Sequence, residues 1–215
     1  MKKIENANII IQNGLELENF MDKILGTYSK IKIIDSSSNI TNKIEENGEV
    51  NAHIWTSISN YMVQVEEIAK GLIETNPENS DIYRKNKETY ITKLQELQAK
   101  YNTELVNIKG KKVICLNEAL TYLAKEVELE VTSVETDHEE SSISAEKMKD
   151  LINEIKQDNI TAIFIGDEDN IKSAETISKE TGAKIYRLKS GLTGSGDVGD
   201  YIKMMEENLE QLKQI

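Results

Sequence analysis

The chain contains two histidines, His53 and His138, and imidazole is the side chain most often used to bind metals in proteins. His53 lies in residues 51–55, with the sequence NAHIW, where it is either a metal ligand or a polar loop residue. One imidazole cannot hold zinc tightly, because structural zinc sites use four protein ligands and catalytic sites use three plus water. A metal site at His53 therefore needs further ligands from elsewhere in the chain.

His138 lies in an acidic run, residues 135–140, which contains four carboxylates and the imidazole. Hard cations accept such oxygen ligands. The spacing matches no EF-hand or zinc pattern, however, and runs of charge are usually solvated. We predict a solvated acidic loop here, with a second cation site as the alternative.

A glycine-rich segment, residues 194–199 with the sequence GSGDVG, follows a predicted strand and precedes a predicted helix. Glycines at this spacing can let a backbone approach a pyrophosphate. Only 16 residues follow Gly199, so no second strand completes a nucleotide-binding unit. Asp197 and Asp200 would also repel phosphate. The segment is predicted to be an ordinary loop, and an enzyme that binds a nucleotide there is the least favoured function.

The composition sets limits on the partners of this 215-residue chain. A net charge of −12 argues against nucleic acid or an anionic membrane surface as a partner. The single cysteine, Cys115, excludes an intramolecular disulfide and a cysteine-rich zinc module, and its apolar neighbours predict that it is buried. No apolar run approaches the roughly 18 residues that span a bilayer, and the first residues do not form a signal peptide.

The first third of the chain alternates short strands with helices. Its apolar pattern predicts strands over 7–12 and 31–34, helices over 15–25 and 56–75, and a surface loop over 35–52. Pro77 ends the second helix. Residues 78–108 then contain no glycine or proline and carry an apolar stripe at helical spacing, which predicts a helix of roughly 45 Å. Such a length is typical of a strut between two parts of a protein.

After Gly110, strands alternate regularly with helices. This order predicts an α/β fold with a mostly parallel sheet covered by helices. The predicted strands are 112–116, 129–134, 160–165 and 183–188, and the predicted helices are 118–127, 145–157, 173–181 and 198–212.

Several segments resemble the metal-binding solute-binding proteins of zinc and manganese ABC transporters. In that family a strand ends in Asn-Gly-Leu-x-Leu-Glu before a helix, and later come a His-x-Trp metal motif and a His-Glu-Ala-Phe-x-Tyr motif. The likeness covers essentially the whole chain, with every motif in the expected order. It is carried by residues 4–18, 51–55, 117–122, 174–184 and 201–209.

The resemblance implies an α/β fold of two lobes with parallel sheets flanked by helices. A long rigid helix joins the lobes, and a metal is held between them. It divides the chain into the remnant of an N-terminal lobe (1–76), the linking helix (77–109) and a C-terminal lobe (110–215). Family members normally begin with a signal peptide, a strand and a loop that supplies the first histidine ligand. This sequence starts after both, so its N-terminal lobe is expected to be incomplete.

The resemblance also assigns metal ligands. His53 matches the histidine of the His-x-Trp motif, and Asn117 occupies a position where the family has His or Glu. Lys189 or Ser190 occupies the position of an acidic ligand, and an ammonium repels a cation while an amide oxygen is a weak ligand for zinc. Glu118 could replace Asn117 through a shift of one residue. The metal-binding residues implied are therefore His53, Asn117 and Glu118, although Asn117 could be a helix N-cap and Glu118 a first-turn carboxylate.

Two functions remain open. In the first, the chain binds Zn²⁺ or Mn²⁺ outside the cytoplasm and delivers the ion to the membrane permease of an ABC transporter, without catalysis. In the second, it is a degenerate or truncated family member that has lost high-affinity metal binding and acts as an interaction module. In either case the loss of the first strands would expose a sheet edge, which predicts self-association.

Overall fold

A computed structural model describes residue 4 and residues 6–21, 26, 30–46, 48–134 and 143–215. The chain forms two compact units, Met1–Glu96 and Leu97–Ile215. The acidic run at 135–140, with its predicted loop and alternative cation site, lies outside the described residues.

The first unit contains a parallel pair of short strands and one packed helix. Strand β1 (Ile9–Gln12) pairs with β2 (Lys32–Asp35), with Ile9 opposite Lys32. A small antiparallel hairpin follows, formed by β3 (Glu45–Glu46) and β4 (Glu49–Val50). Helix α1 (Ile58–Thr75) then packs against β2. A Cβ atom on Gly71 would lie 2.7 Å from the Ile34 side chain, so glycine at this position lets Ile34 fit against the helix.

The predicted helix over 15–25 is wrong where the structure describes it. Residues 15–18 form turns, and Asn19–Met21 form a single 3₁₀ turn. The backbone of Leu15 and Glu16 has φ of 53° and 65°, which a right-handed helix does not allow. Residues 22–25 lie outside the described part of the chain. The predicted loop over 35–52 also contains the β3–β4 hairpin.

The long helix is confirmed as one continuous element. Helix α2 (Ser80–Glu104) has 25 residues and continues from the first unit into the second. It is shorter than predicted because its ends change to 3₁₀ turns at Pro77–Asn79 and Val106–Ile108. Its buried stripe includes Leu94, Leu97 and Tyr101, all at most 2% exposed.

The second unit is the α/β unit that the alternating pattern predicts. Four parallel strands lie in the order β6-β5-β7-β8, and helices flank this sheet. The strands are β5 (Lys112–Cys115), β6 (Glu130–Ser133), β7 (Ala162–Gly166) and β8 (Lys184–Leu188). The helices are α3 (Thr121–Glu126), α4 (Ala145–Asp158), α5 (Lys172–Thr181) and α6 (Asp200–Leu212).

The core of the second unit lies around the two central strands. Every residue of β7 is buried, as is typical of a strand covered on both faces. Cys115 at the end of β5 is a fully buried thiol that forms no disulfide, and its burial is as its apolar neighbours predict. No helix in the described part of the chain combines the length and apolar content needed to cross a membrane.

Candidate metal centre

His53 lies on a short loop that ends at the start of α1. The next residues, Ile54–Thr56, form a 3₁₀ turn, and the Ile54 side chain is fully buried. Thr56 closes this turn, because its Oγ1 donates to the His53 carbonyl at 3.0 Å. The loop is therefore anchored in the core beside His53, and the half-buried imidazole lies 5.2 Å from the Trp55 ring, measured between centroids.

The Asn51 side chain fixes the chemical form of the imidazole. Its Oδ1 accepts the backbone N–H of His53 at 3.0 Å, which identifies this atom as the amide oxygen. The same oxygen lies 3.0 Å from Nδ1 of His53. Since the oxygen only accepts, Nδ1 must carry the proton, and the neutral ring has its lone pair on Nε2. A ring held in this way by an outer carbonyl is typical of metal-binding histidines.

Asn117 follows β5 in the second unit and has two functions in the local structure. Its Oδ1 accepts the backbone N–H of Ala119 at 2.9 Å, so Asn117 is the N-cap of the short turn Glu118–Leu120. Its Nδ2 donates to both carboxylate oxygens of Asp169, each at 2.9 Å. The amide oxygen therefore keeps one further lone pair that a cation could use.

Asp169 is a further polar residue at this position and is not among the ligands predicted from the sequence. This half-buried residue follows β7, and its Oδ2 also accepts the backbone N–H of Gly166 at 2.6 Å. A Cβ atom on Gly166 would lie 2.8 Å from Nδ2 of Asn117, so only glycine leaves room for the pair. One feature of the sequence could have indicated it: three consecutive acidic residues, 167–169, come directly after the buried strand β7. The carboxyl ends of parallel strands commonly form binding sites.

Two further residues of the second unit, Glu118 and Lys189, match ligand positions of the family. Glu118 is exposed to solvent, and Lys189 forms an ion pair. Glu118 is exposed in the first turn of its short helix. Lys189 Nζ pairs with a Glu207 carboxylate oxygen at 2.5 Å, and this hydrogen bond raises the pKa of Lys189. The ammonium is therefore charged at neutral pH and is not a metal ligand.

The glycine-rich segment forms the loop that was predicted. The Asp200 carboxylate accepts hydrogen bonds from the backbone N–H groups of Gly196 and Asp197, at 2.9 Å and 3.2 Å. It also accepts from Ser195 Oγ. These contacts lower the pKa of Asp200, the hydrogen bond from Ser195 contributing most. A bound phosphate would need the same N–H groups, and the Asp200 carboxylate already accepts their hydrogen bonds.

Taken unit by unit, the described residues contain no group of three His, Cys, Asp or Glu side chains arranged to hold a metal. His53 belongs to the first unit. Asn117 and Glu118 are neighbours in the second unit, where Asp169 joins Asn117.

Comparison with known proteins identifies the family. A family model described as the periplasmic component A of a zinc-uptake complex, ZnuA, matches residues 1–215. The chain belongs to the ZnuA family. This family consists of transport components, and the match covers both units and the long helix.

Curated relatives and solved structures agree with this assignment. The chain is 26% identical to the metal ABC transporter substrate-binding lipoprotein FimA of Streptococcus parasanguinis, over all of this chain and 74% of FimA. It is 25% identical to the manganese-binding lipoprotein MntA of Halalkalibacterium halodurans, over 96% of this chain and 71% of MntA. The structure of the solute-binding protein FpvC of Pseudomonas aeruginosa in complex with Mn²⁺ matches with a TM-score of 0.87 and 27% identity. That match covers 99% of this chain and 80% of FpvC. The two-lobe α/β fold is thereby confirmed.

Proposed function

We propose that this chain binds a divalent metal ion, Zn²⁺ or Mn²⁺, and delivers it to the membrane permease of an ABC transporter. The family match over residues 1–215 carries this proposal. Relatives of the chain include a manganese-binding lipoprotein and a solute-binding protein whose structure contains Mn²⁺. The metal is the cargo, and the protein supplies binding and release without catalysis.

His53 is the ligand that the first unit contributes to this proposal. When Nδ1 donates to Asn51, the neutral ring presents the lone pair of Nε2, and an imidazole nitrogen of this kind binds both zinc and manganese. The outer hydrogen bond also makes the ring a better electron donor toward a metal.

From the second unit, Asn117 and Glu118 are the proposed ligands. Asn117 offers the second lone pair of its amide oxygen, and the carboxylate of Asp169 holds that amide in one orientation. Glu118 is exposed and can move toward a cation. Oxygen ligands of this kind suit manganese better than they suit zinc.

We place this activity outside the cytoplasm. The family description is periplasmic, and the relatives FimA and MntA are lipoproteins. The permease of an ABC transporter is the partner that such proteins serve, and the net charge of −12 suits a protein that handles cations.

Calorimetric titration with Zn²⁺ and with Mn²⁺ tests the proposal. We expect one ion per chain with a dissociation constant below about 1 μM, which corresponds to about 8 kcal/mol of binding free energy. His53→Ala should weaken this binding at least tenfold. The matched control is His138→Ala, the same change at the only other histidine, which should leave the affinity unchanged. Wild-type binding weaker than about 100 μM would instead indicate a degenerate family member.

We also propose that the chain associates with a second copy through β1. This strand pairs with β2 along one edge, and the described residues place no strand along its other edge. The side chains of Ile11 and Ile33 are 47% and 42% exposed, so the small sheet presents apolar surface to solvent. Exposed edges of this kind pair readily with other chains.

A further inference from the structure

A chain of hydrogen bonds runs from helix α1 to the peptide that precedes His53. Gln64 on α1 donates through Nε2 to Asn13 Oδ1 at 3.0 Å and to Ser36 Oγ at 2.9 Å. Asn13 in turn donates through Nδ2 to the Ala52 carbonyl at 2.9 Å. The two side chains connect segments that are far apart in sequence, and the connection ends one residue before the imidazole.

The direction of these hydrogen bonds is fixed by the backbone. The carbonyls of Ala52 and Gly14 only accept, so the Asn13 atom that contacts both must be the amide nitrogen. The oxygen of Asn13 then faces Gln64, and Gln64 must present its nitrogen in return. Neither amide can be turned over without placing two acceptors or two donors against each other.

The peptide between Ala52 and His53 is held at both of its polar ends. Its carbonyl accepts from Asn13, and its N–H donates to Asn51 Oδ1 at 3.0 Å. The Asn51 oxygen that accepts this N–H also accepts the imidazole Nδ1. A displacement of this peptide would therefore change the position of the ring and weaken the hydrogen bond that selects its tautomer.

Asn13 is itself held firmly in place. The Glu18 carboxylate accepts the backbone N–H groups of Asn13 and Gly14, at 2.7 Å and 3.1 Å. Ser36, which is 2% exposed, donates through Oγ to the Asn13 carbonyl at 3.1 Å. Gln64 is 5% exposed, so the network lies away from competing water.

We propose that Asn13 and Gln64 are positioning residues for His53. They hold the Ala52–His53 peptide so that the ring keeps its Nδ1 proton toward Asn51 and presents Nε2 to a metal ion. The expected effect on metal affinity rests on the proposed function. The expected effect on the His53 tautomer does not require a metal ion. Hydrogen bonds behind metal-binding histidines typically change metal affinity by about 10-fold to 100-fold when removed.

The first measurement needs no metal. Long-range ¹H–¹⁵N spectra at mildly alkaline pH report which ring nitrogen carries the proton. With only two histidines in the chain, a His138→Gln background leaves the His53 ring as the single signal. We expect the Nδ1–H tautomer to dominate in that background and a mixture of tautomers after Asn13→Ala. Gln64→Met, which removes the donor but keeps the side-chain length, should shift the population in the same direction if Asn13→Ala does not fold.

The second measurement is the affinity for Zn²⁺ and Mn²⁺. Asn13→Ala should weaken binding by about 10-fold to 100-fold, and the loss should disappear when His53→Ala is already present. The matched control is Asn39→Ala in the same unit, where an exposed asparagine donates to Glu67. This control should bind as the wild type does and keep its tautomer.

The outcomes separate the two proposals. If the wild type binds no metal but Asn13→Ala shifts the tautomer, the proposed function fails and the positioning role stands. If the wild type binds and His53→Ala abolishes binding, an unchanged tautomer in Asn13→Ala and Gln64→Met overturns the positioning role. A shifted tautomer with unchanged affinity would also overturn it, because the ring orientation would then not matter to the metal.

Discussion

Replacing Asn117 by aspartate tests the contact between Asn117 and Asp169. Aspartate caps a helix as well as asparagine does, so the hydrogen bond from the Ala119 N–H is kept. The atom that faces Asp169 does change. In the wild type it is the amide nitrogen of Asn117, which donates to both Asp169 carboxylate oxygens at 2.9 Å, and in the variant it is a charged carboxylate oxygen, which can only accept. The substitution therefore removes one contact and leaves the side-chain shape unchanged.

The magnitude follows from two contributions. Losing hydrogen bonds to a charged acceptor costs about 1.5 to 3 kcal/mol. Repulsion between the two carboxylates adds roughly 1 kcal/mol, because Asp169 is half-buried and water screens part of the interaction. We expect the free energy of unfolding of the second unit to fall by about 3 kcal/mol at neutral pH.

Urea unfolding measures this change in each unit. Far-UV circular dichroism follows both units, whereas fluorescence of Trp55, the single tryptophan, follows the first unit and should be unaffected. The matched control is Asn170→Asp, which adds the same charge at the next residue along from Asp169 and keeps the acceptor for the Lys172 N–H. We expect the control to change stability by less than about 0.5 kcal/mol.

A stability of Asn117→Asp equal to that of the Asn170→Asp control would refute this reasoning.

Three further predictions concern single substitutions at Tyr101, Gly166 and Ile11. Tyr101→Phe should cost about 1 kcal/mol in urea unfolding, because it removes a hydrogen bond from the buried hydroxyl to the Met205 carbonyl. Burial raises the pKa of Tyr101 above 10.0, so the wild type should lose stability as pH rises beyond about 10, and the Phe variant should lose less. Gly166→Ala should lower the melting temperature, because its Cβ would lie 2.8 Å from Nδ2 of Asn117. Ile11→Lys should reduce the mass measured by light scattering at about 100 μM, since lysine protects a sheet edge, and a wild type that is already monomeric would contradict self-association.

The second unit could be predicted closely from the sequence. Its strands and helices begin and end within two residues of the predicted positions, except that α3 begins three residues later, because Glu118–Leu120 form a 3₁₀ turn. Here local pattern and tertiary environment agree, because β7 reads as a continuous apolar run and is buried along its whole length. Helix α2 was predictable for a similar reason, as nothing in its sequence interrupts a helix.

Residues 15–18 show why the predicted helix over 15–25 is wrong. The spacing of Leu15, Leu17 and Phe20 is helical, yet Phe20 is 76% exposed and Leu15 has positive φ. The Glu18 carboxylate binds the backbone of Asn13 and Gly14 and turns the chain back on itself. A side chain that caps a loop in this way outweighs a weak helical pattern, and periodicity alone does not reveal it.

The candidate ligands could be located in the sequence, but their surroundings could not. His53 and Asn117 were found through family motifs, and the N-cap role of Asn117 follows from its residue type. Asp169 lies 52 residues from Asn117, and the two meet only because β5 and β7 are adjacent in the sheet. The network from Gln64 to Ala52 likewise depends on tertiary contacts between distant segments.

The hydrogen bonds to Asp169 change how the asparagine at position 117, where the family has His or Glu, should be interpreted. An isolated amide oxygen is a weak ligand, and on that basis asparagine in place of histidine or glutamate would weaken a metal site. Here the amide nitrogen donates to a carboxylate, and a hydrogen bond of this kind polarises the amide and increases the negative charge on its oxygen. In the proposed site the carboxylate would act on a cation through the amide, as the outer carboxylates of metal-binding histidines act through the ring. Asparagine at position 117 is therefore compatible with metal binding as long as Asp169 remains opposite it.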